Sequence, residues 1–473
     1  MKTIRRINHS KKIARGFSLY QVLITGTVLL TICISVATIV LSTLRFASRT
    51  QRAVSATYIA EAGINYYLWH LSHNVSDYCD GQTCGTLGPD GYGPFNYDYT
   101  GADGRKLGSY SVYVKPPAGA NAAVTVKSIG NAVGGTAPRT LQASIAIPSF
   151  AQYAILTNTE IWIGPNETVD GALHSNIGVH FDGVGNDVIS SAQATYSPTA
   201  PFGGNGQTKN GVWGNGTPQS LWRFPVPSID FQGVSTDLQK LKADAQANGK
   251  YLAPTNSAQP SSKLGYYLEL RADGGIDVYK LTREQCTSTN RTFVQTLSKP
   301  ANNILFVDDN VWIRNKPGEL ISQRLTIAAA YLPSNSNTDK KITIMGDIKY
   351  SAKDGSVALG LVAQKDVKVS RQAPSTLEIN AAMLAQSGHV WYQKDTLGGS
   401  TCSQLVKNAI TVYGTIATNS YWTWTYVSGN NTVDGYNTTT STYDKNLRLT
   451  PPPSFPLTGN FSILNYREIL LNP

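Results

Sequence analysis

Five polar residues in the first half of the chain have the side-chain types that metal binding or acid–base catalysis requires. Imidazole and carboxylate groups bind metal ions and transfer protons, and they occur within a short span at Glu160, Asp170, His174, His180 and Asp182. The two histidines are not at a spacing typical of zinc sites, and the residues between them indicate a turn and a strand. We therefore expect these side chains to lie in solvated loops, and we expect no enzymatic activity, no bound metal and no cofactor.

A second group of candidate residues is aromatic. Trp422, Trp424 and Tyr426 alternate along the chain, so they lie on one face if this segment is a strand. Exposed, they would form a stacking platform for a glycan or for another protein; buried, they would belong to a hydrophobic core. Both interpretations stay open, and these three are the candidate ligand-binding residues.

The cysteines predict one small covalent loop. Cys79 and Cys84 flank the turn-forming residues 80–83, and in an oxidising compartment such a pair favours a disulfide. Cys33 lies in an apolar run, and the pairing of Cys286 and Cys402 stays open.

Residues 149–473 are rich in short strand patterns, and four stretches share an apolar, any, small, any, apolar pattern. The four stretches are 169–173, 344–348, 379–383 and 412–416, of which the last three begin 35 and 33 residues apart. A repeated interval is typical of strand-rich solenoids, so we predict a right-handed parallel β-helix, with a β-sandwich as the alternative. We also expect a helical insertion near 236–248, and a C-terminal strand that caps the end of the solenoid.

The N-terminal end of the chain has a sharp border between basic and apolar residues. Six basic residues and no acidic residue precede Gly16, and no charged residue occurs between Phe17 and Leu44. As a helix this run is roughly 40 Å long, whereas the hydrocarbon core of a membrane is about 30 Å thick. We therefore predict that residues 17–44 span a membrane with the basic end inside.

Residues 45–148 have the patterns of a small α+β module. A stripe of apolar residues predicts that the helix continues to about Asn74, and its members are Val54, Tyr58, Ala62, Tyr66 and Trp69. Period-two runs at 110–114, 123–131 and 140–147 predict a small antiparallel sheet. We expect the stripe of the helix to pack on this sheet.

The border sequence Gly16-Phe17-Ser18-Leu19 resembles the class III signal of type IV pilins, and Ala60-Glu61-Ala62-Gly63 resembles a segment of PilX-type minor pilins and pseudopilins. The resemblance covers about the first 148 residues. It implies that residues 1–16 are a leader removed by a prepilin peptidase, and that Phe17 is the mature N-terminus. It also implies that other pilins, through the N-terminal helix, and the inner-membrane assembly machinery are partners, with Glu61 as a candidate assembly contact.

One residue departs from the pilin pattern. The fifth residue of the mature chain is usually Glu in that family, but here it is Gln21. An uncharged amide avoids the free-energy cost of a buried carboxylate but cannot form an ion pair with the N-terminal amine of a neighbouring subunit. A subunit at the filament tip would tolerate this loss, so Gln21 argues against a major pilin.

The charge distribution excludes a nucleic-acid-binding function. The formal net charge is +10, but outside the leader the chain has 34 basic and 30 acidic residues. The excess therefore belongs to membrane topology rather than to a basic binding surface.

We hypothesise a minor pilin-like subunit at a filament tip, which begins as a single-pass membrane protein and finally displays its β domain at the cell surface. Display would serve adhesion to a surface glycan or protein receptor, or filament initiation. The alternatives are a tip pseudopilin of a type II-like secretion apparatus and a membrane-anchored β-helix enzyme that acts on surface polysaccharide.

Overall fold

The computed structural model describes residues 19–118, 123–135, 137–165, 167–258, 264–285, 288–393, 406–428, 431–459 and 461–469. A long N-terminal helix is followed by a mainly β region that contains parallel sheets. This confirms the predicted order of a helix and then a strand-rich region.

Helix α1 runs from Leu19 to His73 and contains 55 residues. Its buried face comprises Ala56, Ile59, Ala60, Gly63, Ile64, Tyr67, His70 and Leu71. The stripe that we expected to pack on the sheet does so only in part: Tyr66 packs against the sheet core, whereas Val54, Tyr58 and Trp69 are 47%, 63% and 57% exposed. The helix approaches the sheet most closely at Ala60 and Gly63, and this contact turns the neighbouring face of the helix inward.

Four strands follow α1 and form an antiparallel sheet in chain order. They are β1 (Tyr92–Thr100), β2 (Lys106–Lys115), β3 (Val124–Ala132) and β4 (Arg139–Ala146). Val112, Val126 and Leu141 from this sheet pack against Ile64 and Tyr67 of α1. The helix and the sheet therefore share one small hydrophobic core, as the sequence patterns indicated.

Strand β1 lies outside the period-two runs that predicted the sheet, in a segment rich in glycine and proline. It is the edge strand of the sheet and pairs with β2 alone among the described strands. Pro94 is compatible with this position because an edge strand does not need every backbone N–H for pairing.

The next part of the chain contains many short strands. They are β5 (Ile155–Thr157), β6 (Ile161–Ile163), β7 (Thr168–Val169), β8 (Leu173–Ser175), β9 (Val179–Phe181), β10 (Val184–Gly185), β11 (Ile189–Ser191), β12 (Thr195–Tyr196), β13 (Lys209–Asn210), β14 (Val212–Trp213) and β15 (Trp222–Arg223). Helix α2 then runs from Val234 to Asn248, where the sequence predicted a helical insertion near 236–248.

Longer strands follow α2. They are β16 (Lys250–Leu252), β17 (Gly265–Leu270), β18 (Ile276–Glu284), β19 (Thr289–Leu297), β20 (Ile304–Val307), β21 (Asn310–Asn315), β22 (Arg324–Ala329), β23 (Ile342–Ile344), β24 (Ala358–Ala363), β25 (Val367–Val369), β26 (Thr376–Ala385), β27 (Val390–Tyr392), β28 (Val406–Thr418), β29 (Trp422–Thr423), β30 (Thr425–Ser428), β31 (Asn431–Tyr443) and β32 (Ser462–Ile469).

Two long ladders of parallel strands organise this region. The first has the order β15-β11-β8-β5-β28-β26-β24-β22-β20-β16. The second contains β17-β21-β23-β25-β27-β29, with β18 and β19 added antiparallel at one end. From β20 to β29 successive strands alternate between the two ladders, and their inward side chains, such as Leu361 and Val369, form one shared core.

The number of residues between successive strands of the first ladder is not constant. This corrects the repeated interval predicted from the sequence. Along the first ladder the paired residues Leu305, Ile327, Leu361, Met383 and Ile416 are separated by 22, 34, 22 and 33 residues. The stretches 379–383 and 412–416 do pair in register. The stretch 344–348 does not pair with 379–383 in register, because Ile348 rather than Ile344 lies opposite Ile379. Turns of different lengths between the strands produce the unequal intervals.

The chain enters the first ladder in its middle. Strands β5, β8, β11 and β15 extend the ladder in one direction, whereas β16 lies at its opposite end. The strands after β16 then return until β28 pairs with β5. Strand β5, near the start of the parallel-strand region, and strand β28, near its end, are therefore neighbours. We call the junction of β5 and β28 the seam.

The C-terminal strand corrects a further prediction, because it does not cap the parallel ladders. Strand β32 pairs antiparallel with β4 and becomes the fifth strand of the N-terminal sheet. The parallel-strand region is therefore an insertion between two adjacent strands of that sheet. Two chain segments cross between the modules and bond to each other, because Phe150 N donates to Pro456 O at 2.9 Å and Thr458 N donates to Pro148 O at 2.7 Å.

We expect Gly130→Ala to separate α1 from the sheet. A Cβ atom at Gly130 would lie 2.2 Å from Ala56 O and 2.4 Å from Ala60 N, and backbone atoms cannot rotate away. Overpacking of this kind costs about 1–3 kcal/mol. Hydrogen exchange of the β3 amides in the full chain should become faster. The control Gly85→Ala meets no atom within 4 Å and should leave the exchange unchanged; equal effects of both variants would contradict the packing described.

We expect Asp366 to make the parallel region sensitive to acid. Burial opposes ionisation of this carboxyl, but His389 at 3.4 Å and Lys341 at 2.9 Å hold the pKa of Asp366 well below its usual range. A carboxyl with a lowered folded-state pKa stabilises the fold above its ordinary pKa of about 3.9, and this contribution is lost as the pH falls below that value. Urea unfolding should therefore show Asp366→Asn to be destabilising at about pH 7, with a smaller difference at about pH 3. A difference that grows on acidification would contradict this assignment.

Candidate assembly helix and polar clusters

The first half of α1 has no packing partner within the described part of the chain. Side chains between Leu19 and Leu44 are exposed, including Leu23 and Ile39 at 63% each. Among the described residues, α1 is the one helix that is long and apolar enough to cross a membrane. Such a surface is stable only in lipid or against other apolar helices.

The serine and threonine side chains of this segment satisfy their hydrogen bonds within the helix. Each of these seven hydroxyls donates to a backbone carbonyl three or four residues earlier, from Thr25, Thr27, Thr31, Ser35, Thr38, Ser42 and Thr43. A hydroxyl that is bonded in this way needs no water. The exposed half of α1 is thus suited to an apolar surrounding over its whole length.

The candidate processing and assembly residues occupy different settings. Gly16 and Phe17 lie outside the described residues. Gln21 is exposed near the start of α1. Glu61 is half-buried and lies near Tyr466 of β32, where burial and then the charge of Glu61 raise the pKa of the tyrosine. Glu61 therefore lies close to β32, the C-terminal strand of its own chain.

The structure joins Cys79 and Cys84 by a disulfide, and a polar cluster attaches this loop to the end of α1. Asp80 accepts hydrogen bonds from Tyr97 and, at 2.9 Å, from Tyr66. Asp77 accepts from the backbone N–H groups of Cys79 and Gly81 at 2.9 and 2.7 Å.

His70 Nε2 lies 3.0 Å from the carboxylate of Asp77. Although burial opposes it, the two backbone donors and His70 lower the pKa of Asp77. The loop is thus held by charge-assisted bonds as well as by the disulfide. Sequence reasoning found the disulfide but not these partners. Cys286 and Cys402 lie outside the described residues.

His174 is a buried strand residue rather than the solvated loop residue that we expected. It is 1% exposed, and its ring nitrogens lie 3.0 Å from Ser190 Oγ and 3.0 Å from Asn176 Oδ1. Burial lowers the pKa of His174, which favours the neutral ring. Both nitrogens are used within the fold, so His174 contributes to packing.

His180 belongs to an aromatic stack on a separate parallel sheet of three strands, in the order β14-β9-β6. The parallel register places Trp162, His180 and Trp213 on three successive strands, with ring centroids 5.2 and 3.7 Å apart. Asp182 accepts a hydrogen bond from Trp162 Nε1 at 3.1 Å and lies 3.0 Å from His180 Nε2. Only the register of the three strands brings these rings together. No local pattern in the sequence therefore predicts the stack.

The remaining polar candidates are separated from this stack. Glu160 accepts from Thr199 N and Oγ1, and Asp170 lies 3.3 Å from Lys445 Nζ. No group of three or more His, Cys, Asp or Glu residues in the described part of the chain could hold a metal ion. The five residues therefore do not form one site in this structure.

The aromatic triad does not form an exposed platform. Trp424 is 2% exposed and belongs to the main core, and Trp422 and Tyr426 are partly buried against it. Tyr426 Oη also donates to Tyr392 O at 3.0 Å. The predicted single strand is divided into β29 and β30, with Trp424 between them, and all three rings pack against the core shared by the ladders. Trp422 also lines a cavity at the seam.

Comparisons with known proteins give weak structural similarity and no sequence relative. A scan of protein-family models finds no match, and a search of curated proteins finds no relative. The crystal structure of the competence-associated pilin ComZ from Thermus thermophilus is similar over 89% of this chain and 98% of that chain, with 16% sequence identity and a TM-score of 0.32. A similarity at this level does not assign a fold or a function.

We expect Trp424→Ala to destabilise the parallel-strand region by about 3–5 kcal/mol, the usual cost of removing a buried tryptophan from a core. The free energy of unfolding, measured in urea for the full chain in detergent, tests this value. Val427→Ala on the adjacent strand is the control, because Val427 is 65% exposed. Similar losses for the two variants would show that Trp424 is not a core residue.

Proposed function

We propose that this chain is a pilin-like subunit of a type IV pilus. A prepilin peptidase would remove residues 1–16, and the mature chain would begin at Phe17. The retained helix would hold the subunit in the membrane and later join the helices of other pilins in the filament core. The inner-membrane assembly machinery would carry out this transfer.

The observation that carries the proposal is the exposed half of α1, with its seven internally bonded hydroxyls. Residues 19–44 extend about 39 Å as a helix, which is enough to cross a membrane. An ordinary anchor would need only this apolar length. The second half of the same helix, however, forms the core of the N-terminal sheet, so the helix is both an anchor and a structural part of the folded module.

A minor role at the filament tip follows from two features. The region between residues 149 and 459 is far wider than a helix of about 10 Å, so it would obstruct close packing at every position of a filament. Gln21 lacks the carboxylate that would pair with the amine of a neighbouring subunit. A tip subunit escapes both constraints.

The inserted region would serve display. We infer that its ladders wind as a right-handed parallel β-helix, because parallel strands in one sheet are nearly always joined by right-handed crossovers. Displayed at the tip, this domain would support adhesion to a surface glycan or protein, or filament initiation.

We propose no enzymatic activity, because His174 and His180 use their ring nitrogens in contacts within the fold, and Glu160 and Asp170 lie apart from them. A tip pseudopilin of a secretion apparatus would have the same helix. Shearing of cells separates the two possibilities: the protein should appear in the filament fraction of a strain with intact pili, and its absence from that fraction would contradict the pilus assignment.

We expect mass spectrometry of the mature protein to find Phe17 at the N-terminus. Gly16→Leu should retain the leader because the peptidase would lose its cleavage residue, whereas Gln21→Glu should be processed like the wild type. An intact Met1 in the wild-type protein would leave an ordinary membrane anchor and contradict the proposal.

A further inference from the structure

The seam between the first and last segments of the ladder interrupts the regular stacking of strands. Strand β28 has two different neighbours on one side: residues 406–414 pair with β31, and residues 416–418 pair with β5. The change occurs at Gly414, whose φ is +148° and whose Cβ, if present, would lie 2.0 Å from Ala381 O. Glycine is required here because both the conformation and the close approach exclude a side chain.

Two strand edges face this junction. Within the described residues, positions 437–443 of β31 pair with β28 alone, and β7 pairs with β10 alone. Residues of β31 and of β7 both line a cavity of about 420 Å³. We call this cavity the seam cleft. An unpaired strand edge presents alternating N–H and C=O groups that can pair with another strand.

The seam cleft combines an apolar floor with polar walls. Its floor contains Ile155, Val412 and Ile416, and one wall is the hydroxyl-rich segment 439–442. The volume is in the range of natural ligand pockets, and a few polar groups around an apolar floor are typical of them.

The charges at the cleft select against acidic ligands. Glu167 and Asp170 are the carboxylates in its lining, and the described lining contains no basic residue. Lys445 lies near but is paired with Asp170 at 3.3 Å. The cleft is therefore complementary to a neutral or basic occupant.

We propose that the seam cleft binds an extended, neutral or basic polypeptide segment of a partner protein, which adds as a strand to the open edges of β31 and β7. The backbone of this segment would pair with the exposed edge of residues 437–442, and a basic side chain would lie near Glu167. Added strands of this kind bind through backbone hydrogen bonds and gain specificity from side-chain pockets. A sugar would leave the two edges unpaired. The proposal does not depend on filament assembly.

The test uses the full chain in detergent micelles and a short synthetic peptide of alternating valine and threonine with one lysine. Saturation with the peptide should slow hydrogen exchange at the amides of residues 437–442. A matched peptide with glutamate in place of lysine should bind several-fold more weakly, because Glu167 and Asp170 would repel it.

Two variants locate the binding. Ser441→Trp fills the cleft and should weaken peptide binding at least tenfold, whereas Val433→Trp, on the same strand but outside both the lining and residues 437–442, should leave it unchanged. If Ser441→Trp does not fold, Glu167→Gln removes a carboxylate from the lining and should reduce the preference for the lysine peptide over the glutamate peptide.

Three results would overturn the proposal. The first is that neither peptide slows exchange at residues 437–442, and the second is that binding is insensitive to both cleft variants. The third is that neutral chitin oligosaccharides protect the cleft more strongly than the lysine peptide does, since this would make the site a glycan site.

Discussion

Pairing of backbone hydrogen-bond groups wherever water is excluded governs each part of this molecule. In the exposed half of α1 the helix satisfies its own backbone, and even its threonine and serine hydroxyls bond to carbonyls of the same helix. In the N-terminal sheet, β32 pairs with the edge of β4 that would otherwise be open. In the ladders each strand satisfies the backbone groups of its neighbour. At the seam, within the described structure, the strands β31 and β7 have open edges and line a cavity.

The insertion of the large region between β4 and β32 has a mechanical consequence. Two chain segments connect the modules, and they bond to each other near Ser149 and Leu457. A double connection resists rotation better than a single linker, because bending requires both segments to move. If the region is displayed as proposed, a domain held in this way would transmit force to α1. The return of the chain thus stiffens the junction between the two modules.

Polar residues in the parallel-strand region mostly serve the fold. Asp366 lies between Lys341 and His389, Arg371 pairs with Asp434, and His174 bonds with Ser190 and Asn176. Their residue types alone were compatible with catalysis, but each has fixed partners that leave little freedom for a substrate. The seam cleft differs because the strands β31 and β7 that line it each have an open edge.

The sequence alone determined the features that depend on local pattern. The apolar run predicted the exposed helix, alternating residues predicted β2, β3 and β4, and the turn between Cys79 and Cys84 predicted their disulfide loop. Tertiary structure decided which face of α1 is buried, since close approach to the sheet at Gly63 and Gly130 outweighs side-chain hydrophobicity. It also decided that β32 joins the N-terminal sheet and that β5 meets β28, because pairing between distant strands leaves no periodic signal in the sequence. The seam cleft forms where β5 pairs with β28, so the sequence alone did not predict it.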